Sequence, residues 1–221
     1  MATPLWPIDL LWPQKLNVDL AQRSLAAPSS VSGVTQVVAS DAGIWKVTYD
    51  AVPVVDEQKV KAWRAIANLL EGRLGSILVP ITRFYQPVPD GSEPLYEPVP
   101  HSDDAFFDDG TGYVGRVIDV VTVGSMALRA VSGTVTVNYA GTIEPGQHFS
   151  VGERLYRVRS FNPDTGAITF RPPLREPVPS GTNLEFDEPV VRMRLATDGE
   201  MDLPLDLGRW GFPSVNFIED L

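Results

Sequence analysis

Hydrophobic and polar positions alternate with a period of two over much of this chain and depart from it clearly once. In residues 44–49, Trp45, Val47 and Tyr49 fall on one side, and Ile44, Lys46 and Thr48 on the other, as in a strand with one covered face. A second apolar run, 34–39, precedes it, and Ser40-Asp41-Ala42-Gly43 lies between them. Those four residues predict a hairpin turn. Residues 56–71 change to helical spacing. Val60, Trp63, Ile66, Ala67 and Leu70 share a face, while Lys59, Lys61, Arg64, Asn68 and Glu71 take the rest. Asp56 is a good N-cap, and Asp56 and Glu57 suit the positive end of the helix. Gly72 stands where a left-handed C-cap residue belongs. An amphipathic helix of this kind covers a sheet. Residues 76–82 then read as a strand, with Pro80 favouring an edge or a strand end.

Alternation resumes further on. Residues 117–123 and 126–131 flank Gly124-Ser125, a two-residue turn signal. Residues 134–139 alternate. Residues 154–161 and 167–170 flank Asn162-Pro163-Asp164-Thr165-Gly166, which predicts a second hairpin. Residues 190–196 place Val191, Met193 and Leu195 on one face and Arg192 and Arg194 on the other, and 215–218 form a last strand. The pattern as a whole predicts a mainly β fold with one helix.

Two segments stand apart. Residues 1–20 carry Trp6 and Trp12, each followed by Pro. Proline pushes the residue before it into extended conformations, so this segment reads as an extended arm. Its tryptophans dock either on the chain's own core or on a neighbouring subunit. The arm lacks a basic region followed by a continuous apolar stretch, so no signal peptide is expected. The second segment, 83–113, contains Pro87, Pro89, Pro94, Pro98 and Pro100. It also contains seven acids (Asp90, Glu93, Glu97, Asp103, Asp104, Asp108, Asp109) and the aromatics Phe84, Tyr85, Tyr96, Phe106, Phe107 and Tyr113. Disordered segments are poor in aromatics, so an excursion anchored on a surface or a partner is expected.

Composition narrows the chemistry. Zero Cys among 221 residues excludes disulfides, thiol catalysis and Cys-based metal centres. A formal charge of −10 argues against groove binding to nucleic acid, which needs a basic face. No apolar run approaches the ~20 residues of a membrane helix, so no membrane insertion is expected. The 38 Pro and Gly residues suit short strands and many turns. His101 and His148 are the only histidines and make a poor metal or acid–base pair. The acids around Asp103, Asp104, Asp108 and Asp109 lack the EF-hand pattern. Gly110-Thr111-Gly112-Tyr113-Val114-Gly115 has dinucleotide-loop spacing but neither follows a strand nor opens a helix. No catalytic, metal or cofactor constellation stands out, so a non-enzymatic binding or structural role is expected.

Three stretches together resemble the distal tail proteins of long-tailed bacteriophages. They are Pro145-Gly146-Gln147-His148-Phe149-Ser150-Val151-Gly152-Glu153-Arg154-Leu155-Tyr156-Arg157-Val158, then Phe170-Arg171-Pro172-Pro173-Leu174-Arg175 followed by Gly181, and Met193-Arg194-Leu195-Ala196. The first half agrees in layout. Trp45 begins a strand ending near Tyr49, a helix with Trp63 runs into Leu70-Glu71-Gly72-Arg73-Leu74-Gly75, and an apolar strand ends at Pro80. The similarity covers most of the chain, apart from 83–113.

The resemblance implies a virion protein, assembled in the host cytoplasm. Six copies would form a ring at the tail tip (the baseplate region), between the tail tube protein and the hub protein. The ring would enclose the channel used in genome ejection. It implies a β-sandwich belt domain with a flanking helix, here residues 1–115 with 189–221, and a smaller β-barrel or sandwich domain, residues 116–188. Expected core residues of the belt are Trp45, Val47, Tyr49, Val60, Trp63, Ile66 and Leu70. Expected subunit-interface residues are Trp6, Trp12, Phe84, Tyr85, Tyr96, Phe106, Phe107, Arg171 and Arg175, the two arginines by charge-assisted bonding to acids of the 83–113 segment. Six copies at −10 each would carry −60, a wall past which DNA moves without binding. Alternatives are the tube subunit, the terminator ring, and a carbohydrate-binding module of the tail tip.

Overall fold

A computed structural model of the chain describes residues 3–26, 37–81, 84–89, 102–108 and 118–221. The fold is mainly β, with one helix and two five-stranded antiparallel sheets among the described residues. The chain divides into two units, Met1–Ile81 with Val190–Leu221, and Thr82–Pro189.

The first unit is built on a sheet of β1 (Lys15–Ala26), β2 (Val37–Asp50), β3 (Ile77–Pro80), β9 (Val190–Leu195) and β10 (Val215–Glu219), in the order β1-β2-β10-β9-β3. The partner of residues 44–49 is therefore not 34–39, as the turn-like Ser40–Gly43 run predicts. It is the arm, with Leu16, Val18 and Leu20 opposite Tyr49, Val47 and Trp45. Leu16, Val18 and Leu20 alternate with Asn17, Asp19 and Ala21, and a long ladder satisfies more backbone groups than a local turn. The turn-like residues are absorbed as an irregularity: Ile44 faces Ala21 and Ser40 faces Arg23, the signature of a bulge. Residues 34–36 lie outside the described residues.

Helix α1 (Glu57–Leu70) starts as its sequence predicts, with the Asp56 side chain accepting from the Lys59 N–H at 2.8 Å. The C-cap is Glu71, left-handed at φ 46° with its N–H donating to Ala67 O, and Gly72 follows it, also left-handed as expected, at φ 67°. The helix buries Trp63, Ile66 and Leu70, while Val60 is half-buried. Trp45, Val47 and Tyr49 are fully buried in the sheet. Trp6 joins them, with its ring edge-to-face with Tyr49, Trp63 and Phe217 at centroid distances of 5.5, 5.8 and 5.6 Å. The arm reaches this position by pairing with the free edge of β3, where Trp6 N–H donates to Leu78 O and Leu78 N–H to Pro4 O.

The second unit holds β4 (Asp119–Val123), β5 (Ser132–Tyr139), β6 (His148–Val151), β7 (Arg154–Asn162) and β8 (Ala167–Arg171), ordered β4-β5-β8-β7-β6. Residues 178–187 close this sheet into a small barrel. Leu184 N–H donates to Val120 O on β4, while Ser150 on β6 and Glu185 exchange both backbone bonds. One segment thus satisfies both edges, which removes the exposed ladder groups that edge strands carry. Phe149, Tyr156, Phe170 and Phe186 fill the interior with ring contacts of 5.3–5.7 Å.

The hairpin predicted at 162–166 is present. The Asn162 side chain accepts from the Asp164 and Thr165 N–H groups. Gly166 has φ 66°, and a Cβ added there would collide with Val135 O. Only glycine fits at that position. The predicted strand 126–131 does not form. Met126 makes a single bridge to Val178, and Arg129 turns the chain at φ 66°, so β4 pairs instead with β5.

The division of the chain also differs from the expected one near residue 115. Residues 84–89 belong to the second unit, because Gly141 N–H donates to Pro87 O at 2.7 Å. A side chain at Gly141 would collide with Val88 O at 2.5 Å.

Candidate functional site

The residues expected at subunit interfaces separate into distinct groups. Trp6 is 0% exposed and its indole N–H donates to Leu11 O. It is a core residue of its own chain, because the Leu5–Leu78 bridge carries it over the sheet. Trp12 remains 50% exposed. Phe84, Tyr85, Phe106 and Phe107 are exposed. Tyr96, His101 and the 110–115 glycine run lie outside the described residues. Arg171 donates to its own neighbour Phe170 O at 3.1 Å, and the Arg175 backbone N–H donates to the Tyr156 hydroxyl. Residues 102–108 are exposed, and Asp103 accepts from the Ala105 N–H.

On the barrel, antiparallel register aligns three basic side chains. His148 on β6 is opposite Arg157 on β7, and Arg157 is opposite Arg171 on β8. Arg157 Nε donates to His148 Nε2 at 3.0 Å. That bond requires the imidazole nitrogen to be unprotonated. Burial, and then the Arg157 charge, push the His148 pKa down to about 4. His148 therefore serves as a neutral acceptor that orients an arginine. It is not poised for acid–base work near neutral pH.

On the first unit two surface features stand out. Residues 205–212 form a projecting loop closed by an Asp206–Trp210 bridge, with Leu207 and Gly208 both left-handed (φ 50° and 70°). Leu207 at its tip is 85% exposed, and Trp210, Phe212 and nearby Val55 are also exposed. The loop is tied to the start of α1 by paired bonds between Val54 and Gly211. At the other end of α1 lies a recess of about 640 Å³, lined by Leu74, Leu195, Ala196 and Ile218 with Glu71 and Arg194 on it. One wall is fixed by Arg73, whose Nε and Nη2 reach the two Asp198 oxygens at 3.0 and 3.3 Å. That contact holds the exposed Asp198 carboxyl below its ordinary range. Sequence reading missed both features. The signal available was Leu205, Leu207, Trp210 and Phe212 punctuated by Gly208 and Gly211, apolar residues in a stretch with turn chemistry.

Among the described residues, no three His, Asp or Glu side chains converge as metal ligands. No helix among them is long and apolar enough to cross a membrane. The described surface carries exposed apolar side chains, Leu74, Leu207 and Phe212 among them. No known family model matches the chain, and no curated protein matches it.

Proposed function

We propose that this chain is a ring-forming structural protein of a bacteriophage tail tip, of the distal-tail type, joining the tail tube to the hub around the DNA channel. The observation that carries this reading is the interrupted first unit. Its sheet and helix are split by a β insertion that leaves from β3 and returns at β9, and the last pair of that ladder is Pro80 and Val190. The stretches that carry the resemblance supply the corresponding parts: β6 and β7, the end of β8, and the end of β9. An acidic chain also suits a channel wall, since like charge prevents adhesion of phosphate.

Quantitative mass spectrometry of purified particles tests the proposal. The expected result is about six copies per particle, with immunogold labelling at the distal end of the tail. Absence from particles overturns it. A copy number in the hundreds reassigns the chain to the tube.

A further inference from the structure

We infer that the projecting loop at 205–212 docks into the recess beside Leu74 of a second copy of this chain, head to tail. This inference deepens the ring reading by naming its contact surfaces, and rests on that reading for the closure of the ring. The two features belong to one unit but occupy opposite ends of α1. The loop is bonded to Val54, just before the helix, and the recess is lined by Glu71 and Leu74, just after it. Fourteen helical residues separate them by about 20 Å. Two different surfaces at opposite ends cannot meet within one chain. Between copies they make a heterologous contact, which generates a ring where the rotation closes.

The surfaces match in chemistry. The loop offers Leu207 at its tip between Asp206 and Arg209. The recess offers Leu74, 84% exposed, beside Leu195 and Ile218, with Arg194 and Glu71 on it. An apolar tip flanked by one acid and one base is thus offered to a hollow in which Leu74 and Ile218 lie among the acids Glu71 and Asp198 and the bases Arg73 and Arg194. Arg194 already acts on the Asp220 carboxyl of its own chain, whereas Glu71 forms no ion pair among the described residues, so Glu71 is the charge left open to Arg209 of a second copy. A left-handed leucine at a solvent-facing tip is a strained and unfavourable placement for a free surface, and burial in a partner offsets it.

The absence of cysteine from the chain allows a clean test. Leu207→Cys and Leu74→Cys are prepared singly and together in the full chain and oxidised under mild conditions. A disulfide needs Cα atoms within about 7 Å, so the two positions cannot link within one chain. The expected result is a heterodimer on mixing the two single variants, in excess of either homodimer, and a ladder of trimers and larger species from the double variant. Homodimers alone, formed by either single variant with itself, would show a symmetric contact and overturn the inference, as would no cross-linking at all. The outcome is independent of particle composition. Cross-linking by a chain absent from virions removes the tail reading and keeps the contact. A chain present at six copies without cross-linking does the reverse.

Discussion

At the scale of single residues, His148 makes the clearest quantitative statement. Its pKa falls to about 4 in the folded protein, against about 6.5 in an unfolded chain. Between those values the unfolded state binds a proton that the folded state does not, so stability falls as pH falls. The contribution is fully present above pH 6.5 and is lost progressively towards pH 4. Lowering the pH from 7.5 to 5 costs about 2 kcal/mol through this group. Urea unfolding at the two pH values should show that loss in the native chain, and His148→Gln should remove most of it. A glutamine carbonyl still accepts from Arg157 but does not titrate. An equal loss in the variant would place the pH dependence elsewhere. The same residue marks a limit of sequence reading. Two isolated histidines say nothing of burial, and only the β6–β7 register brings Arg157 against the imidazole.

At the scale of elements, the arm shows how alike two sequence signals look and how differently they resolve. Trp6 and Trp12 share the Trp-Pro pattern, yet one is enclosed by three aromatic rings and the other is half exposed. Trp6→Ala should destabilise the first unit by about 3–5 kcal/mol, the range for large core truncations. Trp12→Ala should change chemical denaturation by about 0.5 kcal/mol or less. Comparable losses would mean that the arm docks through both. Elements whose partners are local were legible in the sequence. Helix α1 announces itself through Asp56 and the Trp63–Ile66–Leu70 face, and the β7–β8 hairpin through Asn162 to Gly166. Elements decided by distant partners were not. β1 contains Asn17, Asp19 and Ala21, all poor strand formers, and becomes a strand because β2 offers a continuous ladder. The run 126–131 has strand composition but loses its place when β5 takes β4.

At the scale of the whole molecule, the insertion has a direct consequence for independence of the parts. Pro80 and Val190 are register partners, so their Cα atoms are spaced as neighbours in a ladder, about 5 Å apart. Replacing residues 82–189 by an Asn-Gly turn should leave a first unit that unfolds in one cooperative transition, followed by circular dichroism. A chain without such a transition would show that the first unit depends on the second. That the chain is mainly β with one helix was legible from its spacing of strands and turns, whereas a division into two β bodies was an implication of the family resemblance alone. The extent of the second body was not legible, because the bond from Gly141 to Pro87 spans more than fifty residues of chain and leaves no local signal. The loop at 205–212 was likewise missed as a surface, since its exposure is decided by what surrounds it. The same connectivity sets an order for synthesis on the ribosome. Every strand of the barrel, and the segment that closes it, leaves the tunnel before β9 and β10 do. β3 then waits over a hundred residues for β9, and β2 waits still longer for β10. The inserted unit is therefore complete before the strands that seal the first unit emerge.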